Sequence, residues 1–123
     1  MTKLEQLIQQ IRVEVGSDFV STDVVGLDGL SVGGGSMDPN FDASEASARF
    51  AMVMKLGRTV GEKLTLGDVE DNLVTTDKAY IIARFIGDGS FYWGIAVTRN
   101  ATLGAVRMMM NEYADRLWDA IPR

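Results

Sequence analysis

The sequence predicts an α/β fold: a three-layer α/β/α sandwich around a five-stranded, mainly antiparallel sheet, in the order α-β-β-α-β-β-β-α. Three observations predict it. Apolar residues recur at helical spacing at both ends of the chain and once in the middle. Short strand-like runs fall between these stretches in groups of two and three. The last two runs are apolar on both alternating faces, with Ile81 and Phe85 against Tyr80, Ile82 and Ile86, then Phe91, Trp93, Ile95 and Val97 against Tyr92 and Ala96. A sheet covered on both sides explains that pattern, with the middle helix on one face and the terminal helices on the other. The length of 123 residues suits a single domain, 1–123, that buries one core.

Leu4, Leu7, Ile8, Ile11 and Val15 mark the first helix over residues 3–15, and Gly16 closes it. "DFVSTDVVGLDGLSVGG" reads as two strands around Asp28-Gly29, a dipeptide suited to a tight hairpin turn. The second strand is expected to end in the glycine run. Pro39 then disfavours helix in the residue before it, and Asp42 or Ser44 can cap the helix that follows. From Ala43 to Leu64 the pattern is helical, and Phe50, Val53, Gly57, Val60 and Leu64 form the stripe expected to sit on the sheet. Gly67 ends this segment. "VEDNLVTT", "AYIIARFI" and "SFYWGIAVT" are the three remaining strands. Asn100 or Thr102 is expected to cap the last helix, in which Leu103, Val106, Met110, Tyr113, Leu117 and Ile121 lie three or four apart.

Composition narrows the function. Cysteine is absent, which removes thiol nucleophiles, thiolate metal sites and disulfides. Histidine is absent too, and with it the usual acid–base group near neutral pH and the commonest metal ligand. No enzyme site, cofactor or metal is therefore expected. A net charge of −5 argues against binding to nucleic acid or anionic lipid. No apolar run is long enough to insert in a membrane. The opening "MTKLEQLIQQIRVEV" is unlike a secretory signal, so a cytoplasmic location is expected.

Several features look like sites. "SVGGGSMDPNFD" sets Gly33-Gly34-Gly35-Ser36 between a strand and a helix, as a phosphate loop would be. The next lysine after Ser36 is Lys55, deep in the helix, so the phosphate-loop pattern fails, and Asp38-Pro39 intervenes before the helix, so the dinucleotide-binding Gly-x-Gly-x-x-Gly pattern fails too. A structural turn is the better reading. Asp68, Glu70 and Asp71 cluster before the third strand, and Glu112 and Asp115 lie on the last helix. Such groups do acid–base work only in a cleft that shifts their pKa values, and these read as solvated charge. Met108, Met109 and Met110 must point in different directions around a helix, with Met110 expected in the core and Met108 or Met109 at the surface.

The middle helix carries too much apolar surface for one buried stripe. Met52 and Leu56 flank the stripe on one side, Ala51 and Met54 on the other, roughly doubling the ~100° arc that one face needs. Gly57 and Gly61 cost about 1 kcal/mol each relative to alanine unless close packing requires them. An outer side of this kind is expected to pair with a second copy of the chain.

The element order resembles the Roadblock/dynein light-chain family, which includes the bacterial MglB-type polarity regulators. "VVGLDGLSVGGGS" resembles the family's opening hairpin, and "ASARFAMVMKLGRTVGEKL" its dimer-forming second helix. "AYIIARFIGDGSFYWGIAVTRNATLGAVRMMMNEYADRL" resembles its closing hairpin, Asn-x-x-Leu-Gly link and last helix. The run from Gly33 to Gly35 is more glycine-rich than the family pattern. The resemblance implies a homodimer with the sheets aligned through their third strands and the second helices packed together. The interface is then expected at Ala51, Met52, Met54, Lys55, Leu56, Arg58 and Gly61, with Leu73 and Val74 on the third strand. It also implies a non-enzymatic regulator or scaffold of a small Ras-like GTPase, or a motor–cargo adaptor. A small-molecule sensor domain is the alternative, and a cavity between sheet and helix that holds a ligand in the purified protein would distinguish it.

Overall fold

The computed structural model describes residues 1–123. Helix α1 (Lys3–Val15) leads through a 3-10 turn (Gly16–Asp18) into strands β1 (Phe19–Gly26) and β2 (Ser31–Ser36). Helix α2 (Ala43–Lys63) is followed by β3 (Asp71–Thr75), β4 (Ala79–Ile86) and β5 (Phe91–Thr98), and helix α3 (Leu103–Ala120) ends the fold. No helix is long and apolar enough to cross a membrane.

Local chemistry sets the boundaries. Thr2 caps α1 by accepting the Glu5 amide, while the Glu5 carboxylate accepts the Thr2 amide, each at 3.1 Å. Gly16, at φ +72°, ends that helix. Asp42 caps α2 by accepting the Glu45 amide at 3.0 Å. At α3 the N-cap position belongs to Thr102, but its side chain makes no capping bond, contrary to the expectation for Asn100 or Thr102.

The sheet has the order β2-β1-β5-β4-β3 with every neighbouring pair antiparallel. Alternation along the strands divides the side chains between two cores of unequal size. Val24, Ile82, Ile86, Trp93, Ile95 and Val97 join α1 and α3 in a cluster of 18 buried residues. On the other face only five, Val25, Ala83 and Tyr92 with Ala51 and Met54 of α2, are buried together. Most of the hydrophobic stabilisation therefore lies on the α1/α3 side. Trp93 sits at its centre, and its indole N–H donates to the Thr22 hydroxyl at 2.8 Å, which donates in turn to the Gly94 carbonyl at 2.8 Å. Met109 and Met110 are buried there, and Met108 points outward.

Two expectations are corrected. The glycine run is not a turn beyond the second strand but part of it: Gly33, Gly34 and Gly35 pair with Val24, Asp23 and Thr22. At Gly33 a Cβ would stand 3.0 Å from Leu4 Cδ2 and 3.2 Å from Ile8 Cδ1; at Gly34 it would stand 2.6 Å from the Thr22 carbonyl oxygen. Bare backbone at Gly33 is what lets α1 lie on this edge strand, and at Gly34 it leaves room for the neighbouring β1. The second correction concerns α2. Val60 and Leu64, assigned to the sheet, are 48% and 58% exposed, whereas Ser47, Ala51 and Met54 are the residues buried against it. The helix is rotated about its axis relative to the apolar wheel.

Candidate functional site

The rotation has a cause in the sheet. Asp23 of β1 faces α2, and the Ser47 hydroxyl reaches it from the helix while the Ser31 hydroxyl reaches it from β2. About three turns further along the helix, Arg58 lays its guanidinium 4.0 Å from the centre of the Phe85 ring and donates to the Gly89 carbonyl at 2.8 Å. Two polar residues thus occupy the buried stripe, because the strands supply partners for them.

What the rotation turns outward is apolar. Met52 is 71% exposed and Leu56 67%, and Val60 and Leu64 continue their row along the helix. Leu66, just beyond the helix, is 80% exposed. Contiguous apolar side chains of this size are uncommon on the surface of a single chain. Lys55 lies exposed beside them. Ala51 and Met54, expected in the interface, are instead beneath the helix and inaccessible to a partner. Arg58 is committed to Phe85 and Gly89. At Gly61 a Cβ would stand 2.9 Å from Val69 Cγ2 and 3.0 Å from the Gly67 carbonyl, so this glycine serves the chain folding back after α2. Leu73 packs toward the α3 core from β3, while Val74 pairs with Ile81 on the α2 side. Strand β3 is hydrogen-bonded to β4 alone, leaving its outer edge unpaired. The acidic residues do not gather: Asp68, Glu70, Glu112 and Asp115 are exposed, and Asp71 pairs with Arg107 at 3.4 Å.

Asp23 is the functional-looking residue that sequence reasoning missed. Burial pushes its carboxyl above the ordinary 3.8, a rise opposed by the hydroxyls of Ser31 and Ser47. The Tyr92 hydroxyl nearby donates to the Ser47 carbonyl at 2.8 Å, and burial together with the Asp23 charge raises its pKa as well. An acidic residue alternating with Thr22 and Val24 in a strand was the available signal. A raised pKa in the folded state means the native protein holds the proton more tightly than the unfolded chain. Stability from this group is full below 3.8 and is lost as pH rises through the folded-state value. Asp23→Asn, which can still bond both serines, is expected to melt no lower than wild type at neutral pH. It should lack the wild type's relative gain on acidification to pH about 4, a difference read from thermal melts at both pH values.

Beside Asp23 a cavity of about 540 Å³ opens between the sheet, the first turns of α2 and the segment before that helix. It exists because the strands put small residues beneath α2 here: Ser21, Gly34, Gly94, Ala96 and Ala79.

No family profile and no curated protein matches the sequence. Solved structures match its shape. A Roadblock/LC7 domain from Streptomyces avermitilis superposes with a TM-score of 0.84 at 21% identity, covering 94% of each chain. MglB from Myxococcus xanthus superposes with a TM-score of 0.85 at 13% identity, covering 97% of this chain and 94% of that one. An MglB with a tetrameric arrangement gives 0.83 at 11% identity, over 94% of this chain and 85% of its own. The fold is the Roadblock/LC7 fold.

Proposed function

We propose that this chain is a non-catalytic, homodimeric regulator or scaffold that binds a small Ras-like GTPase in the cytoplasm, activating or recruiting it. The outer face of α2 carries the reading. Met52, Leu56, Val60 and Leu64 are exposed along one helix that the fold leaves uncovered. A second copy related by a twofold axis would cover this row with the same row, as symmetric dimers do. The unpaired edge of β3 offers backbone donors and acceptors that a second β3 could complete. The assembled MglB supports such self-association by likeness of fold, and the family resemblance supports the GTPase partner. In this arrangement the GTPase performs the hydrolysis and the dimer positions its loops.

The test uses Ras-like GTPases encoded in the same genome, loaded with GDP or with a non-hydrolysable GTP analogue, titrated against the full chain by calorimetry. Tighter binding of the triphosphate form is expected, and a single-turnover hydrolysis assay then separates activation from recruitment. Failure of every such GTPase to bind in either nucleotide state would overturn the reading.

A further inference from the structure

The cavity beside Asp23 has a definite chemical character. Three aromatic rings line it: Phe41 from the segment before α2, Phe50 from α2 and Tyr92 from β5. Asp23 and the more exposed Asp38 both line it, and no lysine or arginine is among the lining residues. The partners of Asp23 are all neutral, two serine hydroxyls and the Val24 backbone amide, and neither of the chain's ion pairs involves it. Its charge therefore lacks a counter-ion. A carboxylate has about four lone-pair sites, so two serine hydroxyls and one backbone amide still leave room for a further donor. The aromatic faces add attraction for positive charge. An anion would meet two carboxylates and no cation. In size the space falls in the ordinary range of small-molecule sites, about 300–1,000 Å³.

We propose that this cavity binds a small organic cation, a protonated amine on a compact apolar body, with the ammonium group on Asp23 and the body among Phe41, Phe50 and Tyr92. The site uses none of the exposed α2 residues assigned to dimer or GTPase contact. It stands or falls independently of that reading.

The geometry also says what should be excluded. A neutral molecule of the same shape gains the apolar contacts but not the charge-assisted hydrogen bond. Its anionic counterpart is repelled by Asp23 and Asp38 together.

The experiment is an amide-detected NMR titration of the full chain with phenethylammonium, phenethyl alcohol and hydrocinnamate, three probes of similar shape and different charge. The ammonium is expected to give saturable shifts at Ser47, Gly34 and Gly94 at millimolar concentration or below. The alcohol should bind about tenfold more weakly or worse, and hydrocinnamate should not bind. Asp23→Asn should weaken the amine about tenfold or more while keeping the wild-type spectrum elsewhere. Ala96→Phe, which fills the cavity from the sheet, should abolish binding; its own spectrum reports whether it is folded, and Asp23→Asn decides the matter if it is not. No saturable shift with the amine, equal response to all three probes, or undiminished amine binding by Asp23→Asn would overturn the proposal.

Discussion

Leu56→Glu is expected to convert a dimer of this chain to monomers that remain folded, whereas Met54→Glu is expected to unfold it. The two positions are two residues apart on α2 and lie on opposite sides of the helix. Leu56 is 67% exposed in the monomer, so a charge there is solvated, and its effect on monomer stability should be within about 0.5 kcal/mol. In a twofold contact the same charge would face its own copy across apolar side chains, where desolvation and like-charge repulsion act together. Met54 is 1% exposed, among Val25, Ala83 and Tyr92. Removing its side chain alone typically costs about 2–5 kcal/mol, and an unpaired carboxylate adds its desolvation. Light scattering at micromolar concentration and circular dichroism read the two outcomes separately. A wild-type protein that is monomeric at that concentration would remove the dimer from the proposed function. A folded Met54→Glu protein would contradict the rotation of α2.

Trp93→Ala is expected to destabilise the fold by about 3–5 kcal/mol, much of the margin of a domain this size. Trp93 is fully buried on β5, the middle strand of the sheet, where α1 and α3 meet it. The substitution opens a cavity that three elements line and that none can close without leaving its other contacts. It also takes away the indole donor to Thr22, whose hydroxyl is buried. Trp93→Phe separates the two effects, since most of the volume stays while the N–H is lost. Its expected cost is about 1–3 kcal/mol. Urea unfolding followed by circular dichroism measures both, and Trp118 provides a fluorescence signal in either variant. A loss under about 1 kcal/mol for Trp93→Ala, small on the scale of buried large-to-small changes, would mean the core repacks around the gap.

The order of elements was legible because its signals are local. Helical spacing in 3–15, 43–64 and 103–121, the Asp28-Gly29 turn and the two-faced apolar pattern of the last strands each depend on residues near one another in the chain. The Roadblock resemblance drew on that same order. The face of α2 was less legible. An apolar wheel assigns Val60 and Leu64 to the inside, yet Ser47 and Arg58 take the inner positions because Asp23, Phe85 and the Gly89 carbonyl, all on strands or turns distant in sequence, receive them. Hydrophobicity orders residues by their cost in water, and a polar side chain whose partner is already built into the sheet escapes that ordering.

The glycine run shows the same division. As sequence, Gly33-Gly34-Gly35-Ser36 lacks the lysine of a phosphate loop, and that negative conclusion needed no structure. Its positive meaning did. Gly33 is bare because Leu4 and Ile8 arrive from α1, and Gly34 because the Thr22 carbonyl and the Asp23 carboxylate fill the space beside it. By itself the sequence determined the fold class, the sequence of helices and strands, and the exclusion of histidine, cysteine and nucleotide-loop chemistry. Tertiary structure decided which side of α2 stays exposed, and that a carboxylate without a counter-ion faces a cavity. Periodicity records how often a residue turns inward, but only the neighbouring strands and helices decide what it meets there.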